Sequence, residues 1–522
     1  MRRRATLTLG PAALLAMQAA YRVPLANAQT PSGTFVFGAP GEPVKLDPAD
    51  VTDLESARLT DQIFDNLVMF DGATTNLRPG LATSWEVSQD GLSYFFNLRP
   101  GVTFHDGTPC DAAAVKWNFD RWMDENHPSR GDVTFEYWSD VAAFGETIRG
   151  VQAADSNTVQ IDLTEPQGTF LLNLAMFAFG IGSPTAIARD PDAFARQPVG
   201  TGPFRFVEWA PGDHVTLERN PSYWGAAPKV DRVVVRIVPD NAARFQVLRS
   251  GAIDMMEGAN PDDVPTARRD SSLRVLPRPP LNIGYINMNM RQAPFTDVRV
   301  RQAVAAAINR PAIVEALFGG VGEVATQLIP PTVLGFNPEV RGPQYDPARA
   351  RQLLAEASMP NGFAVDFWVM PVSRPYFPSP QPIAEAIASD LQAVGIRANL
   401  RRESDWGTYL ERRNKLDYPM WMLGWTGDTG DPDNFLWTFF GTYPDNTWDN
   451  DTIKGLLRQA QHSSDRAERE RIYMQVNAVA GAEMPRVPIA HTTPPLIARS
   501  YVQGYIPNPT GTEYYNTVSV NR

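Results

Sequence analysis

The chain has 522 residues, a single cysteine (Cys110) and a formal charge of −11. One cysteine excludes an internal disulfide and a zinc site built from cysteines, and the acidic balance argues against nucleic acid or an anionic membrane surface as a partner. The length predicts two or three domains with a core large enough to fold without disulfides.

The first 28 residues have the pattern of a secretory signal peptide. Arg2, Arg3 and Arg4 precede a mildly apolar stretch, and the later "ANA" offers a small-residue cleavage site. The run "RRRATL" fits the twin-arginine export route about as well as an ordinary Sec signal. Cleavage would leave a mature chain that begins at Gln29 outside the cytoplasm, and the loss of four arginines would take its charge to −15.

Helix and strand signals then alternate along the chain without a repeat, which predicts a mixed α/β fold. "RVVVRIV" (232–238) is typical of a buried strand, and "FAVDFWVM" (363–370) alternates as a half-buried strand does. Asp111, Asp297 and Asp346 are each predicted to cap a helix, the last with a proline at the first helical position.

Two proline-rich segments predict crossings between lobes. "LPRPPLNIGYINMN" (276–289) is the candidate for the outward crossing, and "HTTPPLIARS" (491–500) is the candidate for the return. A chain that leaves one lobe and comes back forms two crossing strands, which can act as a hinge. We therefore expect lobe I to comprise residues 29–280, with two subdomains, together with residues 494–522, and lobe II to comprise residues 281–493.

"GWTGDTGDPDNF" (424–435) is an acidic loop that contains no lysine, arginine or histidine. It does not fit an EF-hand, because other residues occupy the required glycine and glutamate positions, although another kind of calcium loop stays open. Asp431 and Asp433 are interpreted as parts of a solvated turn. Asp428 follows the apolar run "WMLGW" (421–425), where an unpaired carboxylate is costly and requires a cation such as a ligand ammonium.

The sequence lacks three common hydrolase and nucleotide-binding motifs. It has no Gly-x-Ser-x-Gly elbow, no HExxH and no GxxxxGK[ST] loop. "GTGPF" (200–204) has the glycines of a phosphate-binding loop without the lysine, and it is interpreted as a tight turn. An exported hydrolase stays as the alternative from a different functional class.

Five segments resemble the extracytoplasmic solute-binding proteins of ABC importers that carry peptides, the large class with three subdomains. The segments are "LRPGLATSWEVSQDGLSYFFNLRPGVTFHDGTP" (77–109), "PVGTGPFRFVEW" (198–209), "RNPSYWG" (219–225), "FTDVRVRQAVAAAINR" (295–310) and "YDPARARQLLAEA" (345–357). The resemblance covers nearly all of the chain after the signal. It implies a monomeric periplasmic protein without catalysis or cofactor, whose two α/β lobes close on a ligand and deliver it to a membrane permease with its ATPase; a sensory role stays open.

"MPVSRPY" (370–376), "DWGTYL" (405–410) and the acidic loop resemble the dipeptide-binding branch in particular. This resemblance implies that Asp428 holds a ligand ammonium and that Arg374 holds its carboxylate, which a guanidinium can bind with two parallel hydrogen bonds. The other ligand contacts that it implies are Trp425, Gly427, Tyr376, Trp406 and Thr426. The missing disulfides and a short segment after residue 439 depart from the branch pattern, and glutathione, haem, nickel chelates or opines are alternative ligands of the same scaffold.

Overall fold

The computed structural model describes residues 33–131, 133–463, 465–511 and 513–522. The predicted signal peptide (1–28) lies outside these residues. Within them, no helix is both long enough and apolar enough to cross a bilayer.

The described part of the chain contains strands that assemble into five sheets. They are β1 Thr34–Ala39, β2 Val68–Phe70, β3 Leu77–Pro79, β4 Ala82–Val87, β5 Ser93–Leu98, β6 Ile148–Ala153, β7 Thr158–Leu163, β8 Phe204–Ala210, β9 His214–Arg219, β10 Arg232–Ile237, β11 Met255–Met256, β12 Leu273–Pro277, β13 Asn282–Met288, β14 Gly322–Val324, β15 Phe363–Val369, β16 Ile396–Arg402, β17 Met420–Thr426, β18 Arg486–Thr492, β19 Pro495–Arg499, β20 Val502–Gln503 and β21 Ser519–Val520.

Helices of very different lengths connect these strands. The α-helices are α1 Leu54–Ile63, α2 Ala112–Met123, α3 Phe144–Thr147, α4 Phe170–Leu174, α5 Pro184–Arg189, α6 Pro191–Phe194, α7 Asn241–Ser250, α8 Asp263–Arg269, α9 Val298–Ala307, α10 Arg310–Leu317, α11 Pro347–Glu356, α12 Pro380–Gln392, α13 Trp406–Asn414, α14 Asp433–Phe440, α15 Asp451–His462 and α16 Arg466–Glu483. Short 3-10 turns lie at Pro48–Asp50 and Phe177–Phe179, and a π-helical turn lies at Tyr137–Val141.

Three of the sheets are large, and each packs against its own hydrophobic core. The strand orders are β12-β19-β11-β1-β10-β9-β8 in the seven-stranded sheet, β14-β18-β13-β17-β15-β16 in the six-stranded sheet and β4-β5-β7-β6 in the four-stranded sheet. Parallel and antiparallel pairs occur together in both of the larger sheets. The prediction of a mixed α/β fold is therefore confirmed.

The chain crosses between the two larger sheets twice, from β12 to β13 and from β18 back to β19. β12 pairs with β19 in one sheet and β13 pairs with β18 in the other, so the two connections run side by side. Both connections fall inside the two proline-rich segments. The residue numbers chosen as lobe boundaries, 280 and 493, stay a prediction.

The predicted helix caps form as the sequence suggests. The side chains of Asp111, Asp297 and Asp346 each accept a hydrogen bond from a backbone N–H in the first turn of α2, α9 and α11. The strand predicted at 232–238 forms as β10, but it is only half-buried, because Val233 and Val235 are its buried residues. The side chains between them point to the less covered face of the sheet.

The six-stranded sheet positions the loops of the candidate site. β15 and β17 run parallel, so their carboxyl ends lie at the same edge of the sheet. Arg374 follows β15 and Asp428 follows β17 at this edge, which is where ligands bind in open α/β sheets. Gly424 in β17 allows Tyr376 to pack closely, because a Cβ at this glycine would lie 2.2 Å from the Tyr376 ring.

Candidate binding site

A cavity of about 140 Å³ lies at this edge. Six of the seven predicted contact residues line its wall: Asp428, Arg374, Trp425, Tyr376, Trp406 and Thr426. Gly427 is not on the wall. Its N–H donates to the Leu281 carbonyl at 2.7 Å, and the space above its Cα is filled by the Phe435 ring. The structure thus brings residues of three separate chain segments, 374–376, 406 and 425–428, to one cavity.

Asp428 is a buried carboxylate, with only 6% of its surface exposed. Tyr137 Oη (3.1 Å) and Asn434 Nδ2 (3.2 Å) both donate to its Oδ2, and its backbone N–H donates to Asn434 Oδ1 at 2.8 Å. Oδ1 receives no hydrogen bond from another described residue, and none of the ion pairs found among the described residues includes Asp428. Burial raises the pKa of Asp428 to about 7, against the opposing effect of its two hydrogen bonds.

Arg374 lines the same cavity, in a turn closed by reciprocal backbone hydrogen bonds with Phe377. Its guanidinium stacks on the Trp406 ring, with Cζ 4.5 Å from the ring centroid. Nη1 donates to Glu55 Oε1 at 2.6 Å, which forms a buried ion pair. Burial lowers the pKa of Arg374, but the charge and hydrogen bond of Glu55 together with the nearby Tyr376 and Asp53 outweigh burial, so the pKa is raised.

Glu55 was not predicted from the sequence. It lies in the first turn of α1, whose N-cap is Asp53. Acidic residues are common there because they stabilise the amino end of a helix, so its position gave no reason to assign it a further role. Asp53 itself lies on the cavity wall, and burial together with the neighbouring Glu55 charge raises its pKa to about 6.

A second buried charge cluster reaches the wall from α13. Arg413 lines the cavity and pairs with Asp445 at 3.3 Å, and Asp445 also pairs with Arg486 at 2.9 Å. Glu136, another wall residue, accepts a hydrogen bond from Asn414 Nδ2 at 3.1 Å. These residues come from distant parts of the chain, and no local pattern marked them.

The prediction of a solvated turn at Asp431 and Asp433 was wrong, because the two residues are only 7% and 3% exposed. Asp431 Oδ1 accepts a hydrogen bond from Arg469 Nη2 at 2.7 Å, and Asp433 Oδ2 accepts one from Gln461 at 3.1 Å. Helices α15 and α16 supply these partners and cover the loop. The described residues contain no group of three or more histidine, cysteine or acidic side chains arranged to hold a metal ion.

The sequence and the structure are both similar to those of known solute-binding proteins. Residues 76–447 match the sequence profile of the bacterial extracellular solute-binding proteins, family 5. The chain is 35% identical to haem-binding protein A of Haemophilus influenzae over 100% of both sequences, and 35% identical to the dipeptide-binding protein of Escherichia coli over 93% of this chain and 94% of that protein. The structure of a dipeptide-binding protein from Pseudoalteromonas sp. SM9913 in complex with Met-Leu superposes with a TM-score of 0.89 at 29% identity, over 94% of this chain and 100% of that one.

Proposed function

The chain belongs to the bacterial extracellular solute-binding proteins of family 5, and we propose that it binds dipeptides and delivers them to an ABC importer. The observation that carries this proposal is the buried Asp428 carboxylate. It lies on the cavity wall with Oδ1 free of hydrogen bonds from other described residues. A dipeptide α-ammonium would supply the cation that a buried carboxylate requires.

The other end of the dipeptide is assigned to Arg374. The one side-chain hydrogen bond that this guanidinium makes to described residues goes from Nη1 to Glu55. The remaining guanidinium N–H groups are therefore available for the ligand carboxylate, which would share Arg374 with Glu55. Trp425, Tyr376, Trp406 and Thr426 would contact the body of the ligand.

The wall chemistry favours a peptide over haem or a nickel chelate. The described wall residues include no histidine, cysteine or methionine, the side chains that most often bind haem iron or nickel. The same wall holds threonine hydroxyls without a histidine base, which disfavours the hydrolase alternative. Haem is included among the ligands for thermal shift, because one relative is named haem-binding protein A.

The proposed transport role follows the family. An N-terminal signal, either twin-arginine or Sec, would export the chain to the periplasm, where a monomer would bind its ligand. The ligand would pass to a membrane permease whose ATPase lies on the cytoplasmic side. Family 5 is a solute-binding family, and the proposed role includes no catalytic step.

Native mass spectrometry of the freshly purified protein tests this proposal, since a tightly bound ligand is retained through purification. We expect a mass difference that corresponds to a dipeptide or a mixture of dipeptides. Thermal shift with dipeptides, glutathione, haem and nickel chelates provides a second measurement, because a ligand of the folded state raises the melting temperature with concentration. A shift with haem alone would refute the proposal.

A further inference from the structure

The Arg374–Glu55 ion pair separates the ligand cavity from a second, smaller cavity. The second cavity has a volume of about 40 Å³ and lies beyond Arg374. Leu54 and Arg374 belong to the walls of both cavities, whereas Glu55 belongs only to the wall of the second. The ion pair is therefore a partition between the two spaces.

The second cavity leads towards the surface. Its wall is mostly apolar, with several prolines, and it shares Pro40, Ser373 and Pro378 with a surface groove of about 440 Å³. The groove includes the exposed residues Asp240 and Pro382. A peptide ligand that extended past Arg374 would thus follow a path towards solvent between apolar side chains.

Two buried side chains beside this path have polar atoms without partners in the described residues. Glu55 is 3% exposed, and its Oε2 receives no hydrogen bond. Arg58 is 2% exposed, and its Nε and Nη1 donate none. Arg58 lines a narrow space of about 10 Å³ that shares Leu54 and Pro375 with the second cavity. Unsatisfied buried groups of this kind are costly, and a ligand polar group would satisfy them.

Three buried ion pairs lie around the second cavity. Three arginines and three glutamates form three ion pairs there: Arg58–Glu257, Arg278–Glu513 at 2.6 Å and Arg374–Glu55 at 2.6 Å. A peptide carboxylate beyond Arg374 would place a second negative charge beside the buried Glu55 carboxylate, which is costly. Removal of the Glu55 carboxylate would instead leave Arg374 without its ion-pair partner, and a peptide carboxylate would take that place.

We propose that Glu55 limits the ligand to two residues by occupying the position that the carboxyl end of a longer peptide would take. The second cavity is then a latent subsite for a third residue. It becomes usable when the Glu55 side chain is shortened or its charge removed. This inference rests on the proposed dipeptide function and adds a specificity-determining residue to it.

Isothermal titration calorimetry with Ala-Ala and Ala-Ala-Ala tests the inference, with the ratio of the two Kd values as the readout. We expect the wild type to prefer Ala-Ala by at least tenfold. Glu55→Ala should lower this preference at least tenfold, and Glu55→Gln, which keeps the side-chain volume, should lower it by a smaller factor. Glu315→Gln removes one exposed carboxylate elsewhere on the protein, and it should leave the ratio unchanged.

The possible results separate the inference from the proposed function. If the wild type binds Ala-Ala but both Glu55 variants keep the wild-type ratio, the inference is wrong and the dipeptide function stands. A wild type that binds di- and tripeptides alike also overturns the role of Glu55. A wild type that binds neither Ala-Ala nor any other dipeptide refutes the proposed function and the inference together. Thermal melts of both variants establish that they are folded.

Discussion

Acetylation of a dipeptide's amino group removes the charge that Asp428 is proposed to bind. In the structure, both hydrogen bonds to the carboxylate end on Oδ2, so Oδ1 is the atom that would accept from the ligand ammonium. N-acetyl-Ala-Ala presents a neutral amide there and leaves a buried carboxylate without a cation. We therefore expect a large loss of affinity relative to Ala-Ala.

The size of this loss follows from the surroundings of Asp428. Loss of one partner of a buried ion pair typically costs about 3–5 kcal/mol. Because Tyr137 and Asn434 continue to donate to Asp428 after the ammonium is lost, the lower part of the range applies, about 3–4 kcal/mol. This free energy corresponds to an increase in Kd of about 150- to 1,000-fold.

Isothermal titration calorimetry at pH 7.5 measures this effect directly. Asp428→Asn is the matched variant, because it keeps the side-chain shape and removes the charge; the penalty for acetylation should shrink below tenfold in it. The methyl ester of Ala-Ala is the control ligand, because it changes only the end assigned to Arg374 and its penalty should be the same in both proteins. Equal affinity of the wild type for free and acetylated Ala-Ala would refute the assignment of Asp428.

Four further outcomes are expected. Burial raises the pKa of Asp428 to about 7, and the ionised carboxylate is the form that binds an ammonium. The Kd for Ala-Ala should therefore decrease from pH 5.5 to pH 7.5, by at most about tenfold per pH unit. A Kd that calorimetry finds constant over this range would contradict the prediction. The same raised pKa means that the Asp428 contribution to the stability of the ligand-free protein decreases as pH rises from about 4 to 7. The melting temperature of Asp428→Asn should therefore rise relative to that of the wild type over this range. Arg374→Ala should lower the affinity for Ala-Ala more than the affinity for Ala-Ala-Ala. Arg374→Lys should restore only part of the lost affinity, because an ammonium cannot form two parallel hydrogen bonds. Calorimetric titrations with both peptides measure these affinities. Gly424→Ala would place a Cβ 2.2 Å from the Tyr376 ring, and it should lower the free energy of unfolding by about 1–3 kcal/mol in denaturant titrations. The control is Gly455→Ala, because a Cβ there meets nothing within 4 Å; it should not show this loss of stability.

Features set by local sequence were predicted well. Asp111, Asp297 and Asp346 cap helices because a short acidic side chain before a helical stretch accepts a hydrogen bond from a backbone N–H of the first turn. The burial of Asp428 followed in the same way, since the apolar strand β17 leads directly into its loop. In each case the nearest neighbours in sequence decide the environment.

Features set by distant parts of the chain were not predicted. Asp431 looked like a loop residue, but Arg469 reaches it from α16 and makes it a buried ion pair. Glu55 contacts Arg374, and Tyr137 contacts Asp428, although each pair is far apart in the sequence. No periodicity or spacing relates such residues, so their contacts appear only once the sheets are packed.

A hinge at the side-by-side crossings would affect the two contacts of Arg374 differently, the one with Glu55 and the one proposed with the ligand. Glu55 belongs to α1, on the side of the seven-stranded sheet, whereas Arg374 follows β15 of the six-stranded sheet. Bending at the two connections would therefore part Glu55 from Arg374, while Arg374 and Asp428 would move together. A peptide of three residues could then occupy the open protein through Asp428 and yet prevent Glu55 from returning to Arg374. Such a peptide would be a competitive inhibitor of uptake that is never itself imported.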